Sequence, residues 1–173
     1  TLFSPEMSAQ STDKTIQSSI FSTKFNGYKD LMKLRLSSLV VLSAFFGYYI
    51  AAGIDGQELK WLKLFYLLLG GVLITGSSNG FNQIWEKNSD KLMERTKNRP
   101  LPTKVLSSKE ALFFNLVTGL TGLYLLYSIN LKSVFLGLIA MILYTIVYTP
   151  LKKITPFAVF VGAIPGSIPP LLG

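Results

Sequence analysis

No cysteine and no histidine occurs among the 173 residues. The first absence removes a disulfide framework and thiolate metal sites. Together they remove Cys and His nucleophiles, a Ser-His-Asp triad and an imidazole ligand for haem. Charge is scarce too: 15% of the residues are charged, against about 25% in an ordinary soluble domain. Acids are the scarcer sign, 9 against 17 Lys and Arg. Any catalysis must therefore rest on carboxylates, Lys, Arg, Tyr, amides or a hard metal ion. The net charge of +8 would suit nucleic acid if the cations shared one soluble face. They lie instead between apolar runs, as in a membrane protein facing an anionic leaflet, so no nucleic-acid partner is expected.

What is abundant is apolar sequence, 49% of the chain with a mean hydropathy of +0.41. Five stretches carry no charge at all: 36–52, 64–85, 111–131, 133–151 and 154–173. Each has the length a helix needs to cross ~30 Å of hydrocarbon. Buried helices of a soluble protein are the alternative, and five such runs in succession speak against it. The expected fold class is all-α, a polytopic transmembrane helical bundle over residues 29–173. Residues 1–28 are rich in Ser, Thr and Gln and read as a disordered polar tail. They have no apolar core of a secretory signal, and the lack of Arg with Glu6 and Asp13 present argues against a mitochondrial transit peptide. The start at Thr1 and the end at Gly173, inside an apolar run, lead us to expect a piece of a longer chain.

The connections set orientation. Fourteen of the 17 basic residues lie in the tail, in the long second connection (Lys87 to Lys109) or at Lys152 and Lys153; the other side holds Lys60, Lys63 and Lys132. The positive-inside rule places the richer side in the cytoplasm. The short link around Asn130 and Lys132 predicts a tight antiparallel hairpin. Pro165, Pro169 and Pro170 with Gly162 and Gly166 predict a kinked fifth helix in the bundle interior, where freed backbone groups find partners.

The polar segment 79–102, NGFNQIWEKNSDKLMERTKNRPLP, starts at the end of the second apolar run. Asn82, Glu86 and Asp90 recur every fourth residue, within about 80° of one another on a helix; Asn79 and Met93 extend the stripe. Carboxylates one turn apart repel. Mg²⁺ would reconcile them, since it takes one or two carboxylates plus waters and substrate phosphates, and the neighbouring Lys and Arg would hold phosphate oxygens. A solvated helix of mixed charge is the other reading of the same spacing. Lys33 and Arg35 precede the first apolar run, and Tyr144, Tyr148 and Lys152 recur every fourth residue before Lys153. Both patches also read as ordinary interfacial anchors. All three converge on one membrane face, as a phosphate-headed lipid substrate requires.

The string N-x-x-x-E-x-x-x-D-x-x-M-x-R-T-x-x-R-P-L-P from Asn82 to Pro102 resembles the first acidic motif of the UbiA superfamily of membrane prenyltransferases. Its ending is similar to the protohaem IX farnesyltransferase branch. Leu31–Arg35, Tyr148–Lys153 with Thr155 and Pro156, and Gly162–Gly166 with Pro169 and Pro170 are similar to that branch as well. Leu34 stands where Pro is usual, and Asn88 where Asp is frequent. The resemblance implies about nine membrane helices, five of them here, and a second Asp-rich motif beyond Gly173. It implies farnesyl diphosphate and protohaem IX as substrates and Mg²⁺ as cofactor. Asn82, Glu86 and Asp90 would be the catalytic metal ligands. Lys33, Arg35, Arg95, Arg99, Lys152 and Lys153 would bind the diphosphate, and Tyr144 and Tyr148 would stabilise an allylic cation. The lipid bilayer is the third partner, and a downstream haem-modifying enzyme or terminal oxidase assembly a fourth. The location implied is the bacterial inner membrane, N-terminus in the cytoplasm, in preference to the mitochondrial inner membrane. A quinone precursor as acceptor, or a transporter component instead of an enzyme, are the competing readings. Charges confined to one face oppose transport, which places ionisable groups near the bilayer midplane. The orientation predicts that a membrane-impermeant amine reagent labels Lys97 and Lys132 from opposite sides; labelling of both from one side overturns it.

Overall fold

The computed structural model describes residues 5–54, 56 and 58–172. Among the described residues six helices follow one another: α1 (Pro5–Met32), α2 (Leu34–Ile54), α3 (Trp61–Asp90), α4 (Ser108–Tyr127), α5 (Leu131–Leu151) and α6 (Ala158–Leu172). Helices α2 to α5 are long and apolar enough to cross a membrane, whereas α6 has 15 residues. The chain is thus a polytopic all-α bundle, and the large apolar side chains on its outside, among them Phe46, Phe65, Phe113 and Phe135, suit contact with lipid.

Local chemistry sets the helix ends. Ser107 caps α4 through a reciprocal box, accepting from the Glu110 N–H at 3.1 Å while the Glu110 carboxylate accepts from the Ser107 N–H at 2.8 Å. Asn130 accepts from the Ser133 N–H at 2.7 Å and starts α5, closing the expected hairpin. Inside α5, Leu143–Tyr148 widens to a π-helical turn. Its loosened backbone is tied by hydroxyls, with Thr149 Oγ1 donating to the Tyr144 carbonyl at 2.8 Å and Thr145 to Met141.

Close approach of α3 and α4 organises the bundle. A Cβ on Gly122 would lie 3.0 Å from the Gly70 carbonyl oxygen, and one on Gly70 3.1 Å from that of Gly122. Glycine is needed at both positions because backbone faces backbone. Next to this contact lies a core of Ala44, Leu67, Ile74 and Leu126. A second core, Leu31, Leu101, Leu106 and Ala111, sits at the other end of α3 and anchors the long α3–α4 connection.

Two expectations differ from what is found. Residues up to 28 were expected as a structureless tail; from Pro5 onward the chain is helical, and residues 1–4 lie outside the described part. The end of α1 is held by real packing. The Tyr28 ring lies 4.7 Å from Phe114, Leu31 is fully buried, and Lys24 pairs with Glu110 at 2.7 Å. Tyr28 and Leu31, three apart on one helix face, were hidden by the polar composition around them. Helix α6, expected in the interior, lies against α2 and α5 and buries only Ala158, Pro165 and Ile168. Val159, Phe160 and Leu171 are exposed, because its small residues meet one side of the bundle only. Gly122→Leu should cost about 1–3 kcal/mol by overpacking, seen as a lower Tm in detergent; an unchanged Tm would show that α3 and α4 need not touch here.

Candidate active site

The C-terminal end of α3 gathers an unusual set of buried polar groups. Asn79, Asn82, Gln83, Glu86 and Asp90 are all at most 8% exposed. Glu86 meets Lys152 Nζ at 2.8 Å, reaching from the end of α5. Asp90 accepts from Arg99 Nη1 at 2.7 Å. Arg99 is brought there by the chain itself. After α3 the backbone turns twice, with Thr96 N–H to Met93 at 3.0 Å and Arg99 N–H to Thr96 at 3.1 Å, and the buried Thr96 hydroxyl donates to the Asp90 carbonyl at 3.0 Å. The R-T-x-x-R spacing is thus a fold-back that returns a guanidinium to an acid nine residues earlier.

The elbow between α1 and α2 supplies the third wall. Lys33 sits in the left-handed region, φ 48°, and lets α2 restart at Leu34. Position 34 is the first helical residue, where an N–H has no partner in the helix, so Leu34 can stand where proline is usual. Gln83 Nε2 donates to the carbonyls of Asp30 at 3.1 Å and Leu31 at 2.9 Å. Ser37 donates to the Met32 carbonyl at 2.9 Å and Asn79 to the same oxygen at 3.4 Å. Burial, then the neighbouring Arg99 and Lys152 cations, hold the Lys33 ammonium below the ordinary lysine value, while Glu86 and Asp90 oppose them. Lys33, Arg99 and Lys152 therefore share one electrostatic site with Glu86 and Asp90, one positive charge in excess.

On α5, the π-helical turn stacks Tyr144 and Tyr148 with centroids 5.4 Å apart and planes 22° apart. The Tyr144 hydroxyl donates to Asn79 Oδ1 at 3.3 Å, and Lys152 Nζ lies 5.4 Å from the Tyr148 ring centre. A cavity of ≈ 230 Å³ opens under Asn79 and Tyr144 and runs between α2, α3, α5 and α6 along apolar walls, Val41, Ala44 and Gly71 among them.

The donor set suits a hard cation. Asn82 Oδ1 is buried with no hydrogen-bond partner, and it shares a helix face with two carboxylates. Oxygen-only donors of this kind fit Mg²⁺. Among the described residues no three carboxylates gather, so these groups fill only part of the octahedron that Mg²⁺ demands.

The structure thus brings together Asn82, Glu86, Asp90, Lys33, Arg99, Lys152, Tyr144 and Tyr148. Arg35 is not among them: it is exposed on a shallow groove that it lines with Lys29, Asp30 and Lys33. Arg95 is exposed and joins none of the ion pairs seen among the described residues. Lys153 is exposed as well and donates to Ser89 Oγ at 3.2 Å, on the outer side of α3. Sequence reading gave no role to Gln83, Thr96 or Ser37, which set the geometry. Amides on an apolar helix are a legible signal, whereas the Thr96 and Ser37 bonds run to backbone carbonyls and leave no mark in the pattern. Asn115 of α4 is fully buried against Gly80 with neither side-chain polar atom partnered, and nothing else in the site touches on it.

The sequence profile of the UbiA prenyltransferase family matches residues 40–173. The chain belongs to that family. It is 45% identical over 150 residues to a protohaem IX farnesyltransferase of Flavobacterium psychrophilum, covering 86% of this chain and 49% of the relative. It is 41% identical over 154 residues to the enzyme so named of Cytophaga hutchinsonii, covering 88% and 52%. A mitochondrial one of Arabidopsis thaliana is 39% identical over 147 residues, covering 84% and 34%. The chain therefore spans about half the length, or less, of the curated relatives it matches. A solved structure from work on digeranylgeranylglyceryl phosphate synthase in membranes superposes with a TM-score of 0.75 over 87% of this chain and 53% of that one, at 20% identity, a likeness of fold. Within the family's bundle, the elbow depends on one amide. Gln83→Leu strands two carbonyls, at about 1–3 kcal/mol. Hydrogen exchange should then accelerate at the Ser37 N–H, which bonds the Lys33 carbonyl at 3.0 Å; unchanged protection there would show that the amide does not hold the elbow.

Proposed function

We propose that this UbiA-family protein, in its full length, transfers a farnesyl group from farnesyl diphosphate to a vinyl group of protohaem IX, giving haem O and diphosphate. The observation that carries the reading is a net positive cluster, with Lys33, Arg99 and Lys152 around the buried carboxylates Glu86 and Asp90, beyond the polar end of an apolar cavity lined by Asn79 and Tyr144. A molecule with a multiply charged anionic head and a hydrocarbon tail matches both halves. The names of the relatives supply farnesyl and haem. Residues 29–173 form the membrane part of the catalytic domain, and its charged face lies in the cytoplasm of a bacterium, the source of the first relatives.

Lys33, Arg99 and Lys152 hold the diphosphate oxygens from three separate elements. Asn82, Glu86 and Asp90 are the residues that would hold Mg²⁺, which when bound supplies Lewis-acid neutralisation of the diphosphate. The bond between the first farnesyl carbon and its oxygen breaks with the electron pair going to diphosphate, and the fixed cations stabilise that developing charge without reorganising. The stacked faces of Tyr144 and Tyr148 lie beside the cluster and stabilise the allylic cation left behind. The dry apolar walls keep water away from it. The vinyl π electrons of protohaem then form the new carbon–carbon bond, and the benzylic-type cation next to the porphyrin takes up water and loses a proton.

Glu86→Gln and Asp90→Asn in the full-length enzyme should each lower kcat by about 10²–10³-fold or more, and chelation of divalent ions should stop the wild type, while membrane insertion is kept. Wild-type turnover in either variant, or in excess chelator, would refute the site.

A further inference from the structure

The apolar cavity under the charged cluster ends on a wall one side chain thick. Leu67 and Leu172 line its deep end, and the same two residues line a second, polar pocket on the far side, together with Glu58, Lys60 and Lys63. Leu67 is 2% exposed and belongs to the core with Leu126 and Ile74. From Asn79 at the head to Leu67 at the foot, α3 rises twelve residues, ~18 Å at 1.5 Å per residue, about the reach of three extended isoprene units beyond a diphosphate. Behind the wall the pocket is lined by Ala51, Ala52 and Ile129 as well as by the charged residues, and the two leucine side chains stand between it and the cavity.

We propose that Leu67 and Leu172 form a floor that sets the longest isoprenoid the enzyme accepts, with Gly71 as the narrow point one turn above. This rests on the prenyl-transfer reading of the charged cluster. Gly71 lines the same cavity, and a Cβ there would approach the Val41 side chain to 3.2 Å. A large side chain at 71 shortens the cavity to the eight residues between Gly71 and Asn79, ~12 Å of helix, enough for two isoprene units. Removing the Leu67 side chain joins the cavity to the pocket behind it and makes room for a fourth.

The test uses the full-length enzyme in lipid nanodiscs with geranyl, farnesyl and geranylgeranyl diphosphates, reading kcat/KM for each. Leu67→Ala should raise the geranylgeranyl-to-farnesyl ratio at least tenfold, and Gly71→Leu should raise the geranyl-to-farnesyl ratio similarly. Ratios that stay at the wild-type value in both variants, with activity retained, overturn the floor. Should Leu67→Ala lose activity on every chain, Leu67→Val and Leu172→Ala provide the same ratio, and an unchanged ratio in both again overturns it. A wild type that accepts all three chains equally sinks the floor alone; a wild type that transfers none of them sinks the prenyl-transfer reading instead.

Discussion

Two carboxylates one turn apart, buried at the end of an apolar helix, cannot be left to repel each other. Everything around Glu86 and Asp90 answers that constraint. In low dielectric a buried ion costs several kcal/mol unless it is paired, so each acid has a cation within 2.8 Å. Those cations come from places far apart in the chain. One returns through the Thr96 fold-back, one stands at the end of α5, and one at the α1–α2 elbow adds its charge nearby. The acid pair therefore dictates the connection after α3, the end of α5 and the docking of α1. The acids are buried while the three cations around them reach solvent, so the cluster is net positive on its accessible side.

Such a cluster is not there for stability. Buried ion pairs come close to breaking even against apolar residues of the same volume, and an orphaned acceptor such as Asn82 Oδ1 costs about 1–3 kcal/mol. The bundle is held elsewhere, by the glycine-mediated contact of α3 with α4 and by the two apolar cores. Separating the two jobs lets one helix serve both. The lower half of α3 is largely Leu, Ile and Gly and packs; its last three turns carry the buried Asn82, Gln83, Glu86 and Asp90. Placing the polar turns at the end of the helix leaves its apolar remainder free to pack and to span.

Much of this was legible in the sequence for plain physical reasons. Uncharged runs of about 20 residues have few alternatives to membrane helices, so α2 to α5 follow from composition. A spacing of four keeps Asn82, Glu86 and Asp90 on one face whatever surrounds them, and Tyr144, Tyr148 and Lys152 likewise. What could not be read is the content of the turns. Arg95 and Arg99 look equivalent in R-T-x-x-R, yet only Arg99 comes back to Asp90, because the bond from Thr96 to the Asp90 carbonyl fixes the turn. Arg35 and Lys33 look equivalent too, and both line one groove at the α1–α2 elbow, but of the two it is Lys33 that is partly buried and within electrostatic reach of Glu86 and Asp90. Spacing arguments hold along one regular helix and fail across a turn, where a single side-chain bond to the backbone decides direction. The end of α1 was lost for a different reason. Its contacts, Tyr28 on Phe114 and Leu31 in the second core, are made with residues about 80 positions away, and a polar composition conceals an apolar pair that sparse.

The π-helical turn in α5 links the charged cluster to the cavity beneath. A wider turn costs regular hydrogen bonds, and here the hydroxyls of Thr145 and Thr149 take up the loosened carbonyls. In return both tyrosines lie stacked on the same side as Lys152, one bonded to Asn79 and one beneath the ammonium. Gly162 of α6 must lack a side chain for the Tyr148 ring to stay there, since a Cβ would meet it at 2.8 Å. The irregular turn thus sets a pair of electron-rich faces at the boundary between the charged cluster and the apolar cavity. Lys152, one turn beyond Tyr148 on the same face, reaches Glu86 at 2.8 Å, so the path of the chain through this turn places the cation on the acid. The conformation of one turn in α5 and the neutralisation of an acid on α3 are therefore a single structural fact.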